Sequence, residues 1–211
     1  MKGKIDYSLY LVTDRGLMAA ASVEECVEQA VSGGCTIVQL REKTASSREF
    51  YETALRVRKI TADLGVPLII NDRADIALAV NADGVHVGQD DLPLDAARRI
   101  MGEDAIIGAS VNNLTEALAA MGADYLGVGA MFATSTKTDA DLASMDELRR
   151  IRAAVKIPIV AIGGINKNTV PLFAGTGIDG IAVVSAVVSQ KDPGGAAREL
   201  KTLFRSTMGK K

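Results

Sequence analysis

The chain has 211 residues and a net charge of −2, with 24 lysines and arginines against 26 acidic residues. This length suits one domain, and a hydrophobic share of 48% makes disorder or fibrous structure unexpected. Because there is no basic excess, we expect no binding to nucleic acid or to an anionic membrane surface. We therefore predict a single domain over residues 1–211.

Targeting signals and metal-rich motifs are also not expected. The first residues, Met1–Tyr7, lack the apolar stretch of a signal peptide, and no run reaches the roughly 18 apolar residues of a membrane span. Two cysteines, Cys26 and Cys35, and one histidine exclude a disulfide framework and a zinc site rich in Cys or His. We expect a cytoplasmic protein.

Eight short runs rich in β-branched residues alternate along the chain with longer amphipathic stretches. We predict strands at Leu9–Thr13, Ile37–Leu40, Leu68–Ile70, Gly84–Val87, Ile106–Gly108, Tyr125–Val128, Pro158–Ile162 and Gly180–Val184. Continuous apolar runs of this kind are typical of parallel strands that are buried on both faces.

Helical patterns fill the gaps between these runs. Ser22 with Glu25 has the spacing of a capping box, and Gly33 and Gly34 end the first helix. The second helix is predicted from Ser46 to Leu64, and the last from about residue 193 to residue 208. One face of the second helix carries the residues expected in the core, which are Phe50, Ala54, Val57 and Thr61.

Eight strand–helix units in 211 residues leave about 26 residues for each unit, which is enough for parallel crossovers. This spacing predicts an α/β fold, a closed (β/α)₈ TIM barrel in one domain. A doubly wound open sheet is the alternative, but no G-x-G-x-x-G motif follows the first strand. In the barrel, chemistry is expected at the carboxyl ends of the strands.

The second strand is followed by Arg41, Glu42 and Lys43, and alternation within the strand puts Gln39 on the side of Arg41. The two cations suit a multiply charged anion. In the alternative interpretation this segment is a solvated loop, in which Glu42 neutralises its neighbours.

Acidic turns follow the third and fourth strands, with Asp72 after Asn71 and Asp91 after Gly88. Converging carboxylates without histidine suit Mg²⁺, which keeps several waters and bridges to phosphates. Helix capping is the alternative role, because both aspartates lie just before helical patterns.

Hydroxyl and glycine residues follow the later strands. The segment after the sixth strand, with Thr134, Ser135, Thr136 and Lys137, resembles an anion clamp, although a flexible polar loop would also fit. Gly163-Gly164 and Val184-Ser185 follow the last two strands, where many barrels bind a phosphate monoester. A merely tight turn at the glycines is the alternative.

Neither Ser110 nor the single histidine suggests covalent or acid–base catalysis. Ser110 has no visible His–Asp arrangement, so we expect a hydrogen-bond donor rather than a nucleophile. His86 lies within the fourth strand and is better explained as a packed or hydrogen-bonded residue than as a base. Together the strand ends predict one cavity with two anion sites, one for a monoester and one for a diphosphate with Mg²⁺.

In combination, eight segments make the chain resemble the thiamin phosphate synthase family over nearly its whole length. The matching segments are Leu9–Asp14, Val38–Lys43, Leu68–Arg73, Ala82–Pro93, Ala123–Gly129, Thr134–Lys137, Ile157–Ile165 and Ile178–Ala186. Their joint order and spacing are specific. The resemblance implies a (β/α)₈ barrel that joins 4-amino-5-hydroxymethyl-2-methylpyrimidine diphosphate to 4-methyl-5-(2-phosphoethyl)thiazole, giving thiamin monophosphate and diphosphate with Mg²⁺.

The resemblance also implies roles for individual residues. Asp72 and Asp91 are implied as the Mg²⁺ ligands. The pyrimidine diphosphate contacts are implied at Gln39, Leu40, Arg41, Glu42, Lys43, Asn71, Ser110 and Lys137, and of these Arg41, Lys43, Ser110 and Lys137 are implied in catalysis. The thiazole phosphate contacts are implied at Thr134, Ser135, Thr136, Gly164, Val184 and Ser185.

The family is thought to react through a pyrimidine cation formed as diphosphate departs, which requires cations and Mg²⁺ on the leaving group but no strong base. The segment after the sixth strand is then the expected lid that keeps water out. Family members usually have prolines at the positions of Ala130 and Ala133, so we expect a less pre-organised lid here. The substrates are small molecules, and a homo-oligomer remains open.

Three other functions remain as alternatives. A thiazole tautomerase of the same fold uses a histidine at the position of Asn112 and lacks a full diphosphate site. A Schiff-base aldolase would need Lys137 as a desolvated nucleophile, which a polar loop does not favour. A sensor that binds thiazole phosphate without turnover would have no use for Asp72, Asp91 and Lys43.

Overall fold

The structure, a computed structural model, describes residues 5–133 and 142–209. Within these residues, eight parallel strands close into a barrel in which each strand pairs with the next and β1 pairs with β8. The strands are β1 (Leu9–Val12), β2 (Ile37–Leu40), β3 (Leu68–Asn71), β4 (Gly84–Val87), β5 (Ile106–Val111), β6 (Tyr125–Val128), β7 (Ile159–Ala161) and β8 (Gly180–Val183). The predicted TIM barrel is therefore confirmed.

Helices follow the strands and surround the barrel. They are α1 (Val23–Gly33), α2 (Ser47–Asp63), α3 (Ala74–Ala79), α4 (Leu94–Met101), α5 (Leu114–Ala119), α6 (Met145–Ala154), α7 (Ser185–Val188) and α8 (Pro193–Met208). Ser22 caps α1 by accepting the Glu25 N–H, and Ser46 with Glu49 forms a complete capping box on α2. Among the described residues, no helix has the length and apolar character needed to cross a membrane.

Side chains alternate along each strand between the helix layer and the barrel interior. Leu9 and Leu11 of β1 pack in the larger core between strands and helices. Tyr10 and Val12 belong to a second cluster inside the barrel, together with Tyr125 of β6. The interior is thus filled by side chains, and a substrate can enter only at the ends of the strands.

Two segments differ from the predicted elements by more than one residue at an end. Strand β5 continues past Gly108 to Val111, so Ser110 is a residue of the strand and not of the turn after it. Between β7 and β8 the structure has a 3₁₀ helix, Val170–Phe173, in place of an α-helix. Pro171 lies at its start, and Gly175 and Gly177 have positive φ angles of 73° and 74°, which an α-helix does not accommodate.

Candidate active site

The two predicted magnesium ligands lie beside each other and beside a lysine at the carboxyl end of the barrel. Lys43 Nζ, after β2, donates to Asp72 Oδ2, after β3, at 2.7 Å. The pKa of Asp91, after β4, is raised above its ordinary value, first by burial and further by the hydrogen bond and negative charge of Asp72. The sequence-predicted cluster of one cation and two carboxylates therefore forms.

Neither aspartate caps a helix, so that alternative interpretation is wrong. The N-cap residues of α3 and α4 are Arg73 and Pro93, and neither helix has a side-chain cap. Asp91 Oδ2 instead accepts the Gly88 N–H at 2.8 Å, which holds the turn after β4. Asp72 has a φ angle of 63°, a left-handed conformation that aspartate and asparagine tolerate better than most residues.

The carboxylate pair does not by itself form a closed metal cage. Among residues 5–133 and 142–209, no group of three or more His, Cys, Asp or Glu side chains converges as a metal site. A cation at Asp72 and Asp91 would therefore complete its shell with water or substrate oxygens, which is the usual situation of Mg²⁺ in phosphate-binding sites.

Three consecutive residues after β1 hold the segment that follows β2. Thr13 Oγ1 accepts the main-chain N–H of Arg41 at 3.0 Å, and Asp14 Oδ2 accepts from Arg41 Nη1 at 3.0 Å. Arg15 donates to both carboxylate oxygens of Glu42 through its Nε, and its Nη2 reaches Oε1 at 2.7 Å. The main chain and side chain of Arg41 are thus positioned before any ligand arrives.

Two of the predicted substrate contacts do not present free side chains. Leu40 is fully buried in the core between strands and helices. The carboxylate side chain of Glu42 is only 3% exposed and is occupied by Arg15. Any contact of Leu40 or Glu42 with a substrate would therefore involve main-chain atoms.

Ser110 of β5 and Gln39 of β2 each meet a buried polar group. Ser110 Oγ lies 2.9 Å from His86 Nε2, and the other ring nitrogen lies 2.9 Å from the hydroxyl of Tyr125. Gln39 Nε2 donates to the hydroxyl of Tyr10 at 3.0 Å. The sequence did not reveal the Ser–His contact, but a tyrosine stands where a triad would have a carboxylate.

His86 is a buried, hydrogen-bonded strand residue, as expected from its place in β4. Burial lowers its pKa to about 4, and the charge of Asp91 opposes this only in part. The imidazole is therefore neutral at physiological pH.

The glycines after β7 have a packing role that is visible in the structure. Gly164 has a φ angle of 65°, and a Cβ there would lie 2.7 Å from the Cβ of Phe132. A Cβ at Gly163 would meet Ala130 at 2.6 Å. The segment after β6 thus packs directly on these glycines, and the Phe132 N–H donates to the Gly163 carbonyl at 3.1 Å. Their contact with a phosphate stays a prediction.

The remaining predicted residues are distributed as follows. Asn71 is the last residue of β3, Val184 precedes α7, and Ser185 begins it, so these three lie at the same end of the barrel as Lys43. Thr134, Ser135, Thr136 and Lys137, which belong to the later part of the predicted lid, lie outside the described residues. A separate cavity of about 780 Å³ opens at the opposite end and includes none of the predicted site residues.

Sequence reasoning missed the residues that support the site. Thr13, Asp14 and Arg15 follow the first strand directly, so the rule applied to the other strand ends would have identified them. Tyr10 and Tyr125 alternate toward the interior, but their sequence positions alone do not show that their hydroxyls touch.

Comparisons with known proteins agree with one another. A family model described as thiamine monophosphate synthase matches residues 9–187. The chain is 60% identical to the thiamine-phosphate synthase of Clostridium beijerinckii over 206 residues, which cover 97% of this chain and 99% of that protein. It is 58% identical to the protein of that name from Clostridium botulinum, with 97% of both chains covered.

A solved structure gives the same result. The thiamine phosphate pyrophosphorylase from Pyrococcus furiosus superposes with a TM-score of 0.89 at 44% identity, covering 97% of this chain and 98% of that one. The superposed region includes nearly the whole of this chain.

Proposed function

The chain belongs to the thiamine monophosphate synthase family, and with it joins a pyrimidine diphosphate to a thiazole phosphate in thiamine biosynthesis; we propose that it does so with Mg²⁺ held by Asp72 and Asp91. The observation that carries this proposal is the cluster of Lys43, Asp72 and Asp91 at the ends of three neighbouring strands.

The residues of this cluster fit a magnesium ion. Asp72 and Asp91 repel each other and the pKa of Asp91 is raised, so a divalent cation held by them would relieve this repulsion. Mg²⁺ commonly takes one or two protein carboxylates together with waters and substrate phosphate oxygens. When bound, the ion would supply positive charge to the diphosphate as it leaves the pyrimidine carbon.

The chain's own cations complete the diphosphate site in this proposal. Arg41, fixed by Thr13 and Asp14, and Lys43 hold the leaving group from the side of β2. Ser110 donates a hydrogen bond to the departing diphosphate. Further contacts with the pyrimidine diphosphate are proposed for Gln39, Asn71, Lys137 and the main chain of Leu40 and Glu42. Positioned charges of this kind stabilise a transition state in which negative charge gathers on the diphosphate.

The reaction then proceeds by dissociation to a pyrimidine cation, which the thiazole nitrogen captures. This route needs no strong base, and the only histidine of the sequence is neutral and has hydrogen-bond partners at both ring nitrogens. The thiazole phosphate is proposed to bind at Gly164, Val184, Ser185 and Thr134–Thr136. The segment that contains Thr134–Thr136 would exclude water from the cation. A cytoplasmic location and a single domain over residues 1–211 are part of the same proposal.

The test measures thiamin phosphate formed by the purified protein from both substrates, with Mg²⁺ and with EDTA. We expect no product in EDTA and restoration by added Mg²⁺. Asp72→Asn keeps a residue that tolerates the left-handed backbone but removes the charge, and should lower turnover by about 10²–10³-fold.

The matched control is Asp75→Asn, which removes an exposed aspartate three residues away that pairs with Arg73. Its turnover should equal that of the unmodified chain. Full activity in EDTA would exclude the Mg²⁺ proposal, and an Asp72→Asn variant with unchanged turnover would exclude Asp72 as a ligand.

A further inference from the structure

A continuous chain of hydrogen bonds crosses the barrel interior between two residues of the proposed site. Gln39 Nε2 lies 3.0 Å from the Tyr10 hydroxyl, which lies 2.7 Å from the Tyr125 hydroxyl. The Tyr125 hydroxyl lies 2.9 Å from His86 Nδ1, and His86 Nε2 lies 2.9 Å from Ser110 Oγ. The five residues come from five strands, namely β1, β2, β4, β5 and β6.

The inner members of this chain are shielded from solvent. Tyr10 and Tyr125 are each 1% exposed and His86 is 8% exposed. The ring of Tyr125 also packs against the rings of His86 and Tyr10, with centroids 5.5 and 5.7 Å apart. Buried hydroxyls and imidazoles form the bonds available to them because an unmade bond is costly. Each hydroxyl therefore both accepts and donates along the chain.

The end at Gln39 fixes the direction of every bond. An amide nitrogen only donates, so the Tyr10 oxygen accepts a hydrogen bond from Gln39. The Tyr10 hydroxyl in turn donates its own proton in a hydrogen bond to the Tyr125 oxygen. The Tyr125 proton then bonds to His86 Nδ1, which leaves the single proton of the neutral imidazole on Nε2. That N–H donates to Ser110 Oγ. Burial raises the pKa of both tyrosines, so both keep their protons.

We propose that Gln39, Tyr10, Tyr125 and His86 form a hydrogen-bond relay of fixed direction, which holds His86 as the Nε2–H tautomer and leaves the Ser110 hydroxyl proton free to bond an oxygen of the diphosphate. The proposal rests on the proposed function, in which Ser110 contacts the pyrimidine diphosphate. His86, Tyr10 and Tyr125 are positioning residues because they act only through Ser110.

The direction matters because the diphosphate is an anion. In the opposite direction the Ser110 proton would point to His86, and the serine would present lone pairs to the phosphate oxygens. A donor is attractive there and an acceptor is repulsive. The same hydrogen-bond chain thus strengthens or weakens binding of the diphosphate, depending on which way the protons of Tyr10, Tyr125, His86 and Ser110 point.

The single histidine makes the tautomer directly measurable. With ¹⁵N-labelled histidine, the ligand-free protein at neutral pH should show one ring nitrogen with a bonded proton, assigned to Nε2. A proton on Nδ1, or an even mixture of tautomers, would overturn the proposal. This measurement needs no substrate, so it tests the relay even if the protein forms no thiamin phosphate. Failure to form thiamin phosphate would exclude the proposed function but not the fixed direction of the relay.

Kinetics then test whether the relay acts through Ser110. Tyr125→Phe removes the donor to Nδ1, so the histidine spectrum should become a mixture of tautomers. The KM for the pyrimidine diphosphate should rise about 2-fold, because only about half of the molecules then present the Ser110 proton to the diphosphate, with the KM for the thiazole phosphate unchanged. In a Ser110→Ala background, Tyr125→Phe should have no further effect on KM. Additive effects of the two substitutions would overturn the proposal.

Tyr7→Phe is the matched control, because the Tyr7 ring packs against Tyr125 with centroids 5.1 Å apart and its hydroxyl is not a member of the relay. It should change neither the tautomer nor the KM. If Tyr125→Phe does not fold, Tyr10→Phe breaks the relay one bond earlier and should give the same mixed spectrum. A spectrum identical to that of the unmodified chain would show that the direction is set elsewhere.

Discussion

Arg41 depends on three neighbours that precede it by about a strand and a helix in sequence. The Thr13 hydroxyl accepts a hydrogen bond from the main-chain N–H of Arg41, and Asp14 pairs with its guanidinium. Arg15 pairs with the next residue, Glu42. A long cationic side chain loses several freely rotating bonds when it binds an anion, which weakens binding. Because Arg41 is already held in the ligand-free protein, its side chain loses less conformational entropy when an anion binds.

The Thr13 hydroxyl gives a testable consequence for stability. Thr13 is 1% exposed, so Thr13→Val keeps the shape of the side chain but leaves the Arg41 N–H without its acceptor. We expect the free energy of unfolding to fall by about 1–3 kcal/mol. The measurement is urea denaturation.

Thr202→Val provides the comparison. Thr202 lies on the exposed surface of α8, where its hydroxyl bonds the Arg198 carbonyl. This change should alter stability by less than about 0.5 kcal/mol. Equal effects of the two substitutions would contradict the importance of the Thr13–Arg41 bond.

At the scale of elements, the barrel repeats one junction at the amino-terminal ends of its strands. An aspartate just before β4, β6 and β8 accepts the N–H of a residue in the preceding strand and pairs with an arginine of the helix before that strand. The three sets are Asp83 with Leu68 and Arg58, Asp124 with Ile107 and Arg98, and Asp179 with Ile159 and Arg152.

At the fourth junction, between β1 and β2, a threonine and a lysine replace the aspartate and the arginine. Thr36 accepts the Leu9 N–H and donates to the Leu9 carbonyl, and Lys201 of α8 donates to the Gly34 carbonyl. One aspartate side chain thus fastens a pair of strands to the preceding helix at three junctions, whereas Thr36 and Lys201 divide this role at the fourth. The four junctions lie opposite the chemistry, which matches the division of TIM barrels into a stabilising face and a reactive face.

These junctions should contribute measurably to stability. Asp124→Ala removes the acceptor of the Ile107 N–H and the partner of Arg98, both partly buried. We expect a loss of about 1–3 kcal/mol in urea denaturation, with substrate KM values unchanged. The control is Asp63→Ala, at the exposed end of α2, with an effect below about 0.5 kcal/mol. A loss no larger than the control's would show that the junction is not needed.

At the scale of the whole molecule, both cysteines are inside the fold. Cys26 is fully buried and Cys35 is 3% exposed. Burial raises the pKa of Cys26 to about 11 and that of Cys35 to about 12. Since the thiolate is the reactive form, neither residue should react quickly at ordinary pH.

A thiol reagent tests this expectation. At pH 8 the folded protein should show almost no labelling over minutes, and both thiols should react once denaturant is added. A Cys35→Ser variant would assign any residual labelling, because Cys35 borders the cavity at the amino-terminal end. Rapid labelling of the folded chain would show that the core opens far more often than this packing implies.

Much of the architecture could be predicted from local patterns. The bounds of β2, β4, β6 and α8 match the predicted ranges, and Ser22 caps α1 as expected. The sequence predicts β5 too short because Ala109 and Ser110 have weak strand propensity. They are held in β5 by pairing with Leu126 and Gly127 of β6, a contact that no local pattern reveals.

The sequence by itself determined the eight strand–helix units and the strand ends where polar side chains gather, because turns and hydrophobic periodicity act over a few neighbouring residues. Only the tertiary structure decided which of those side chains touch. Lys43 meets Asp72, Asp14 meets Arg41, and five strands align one hydrogen-bond chain from Gln39 to Ser110. These contacts depend on how the closed barrel sets the register of its strands, which is a property of all eight together.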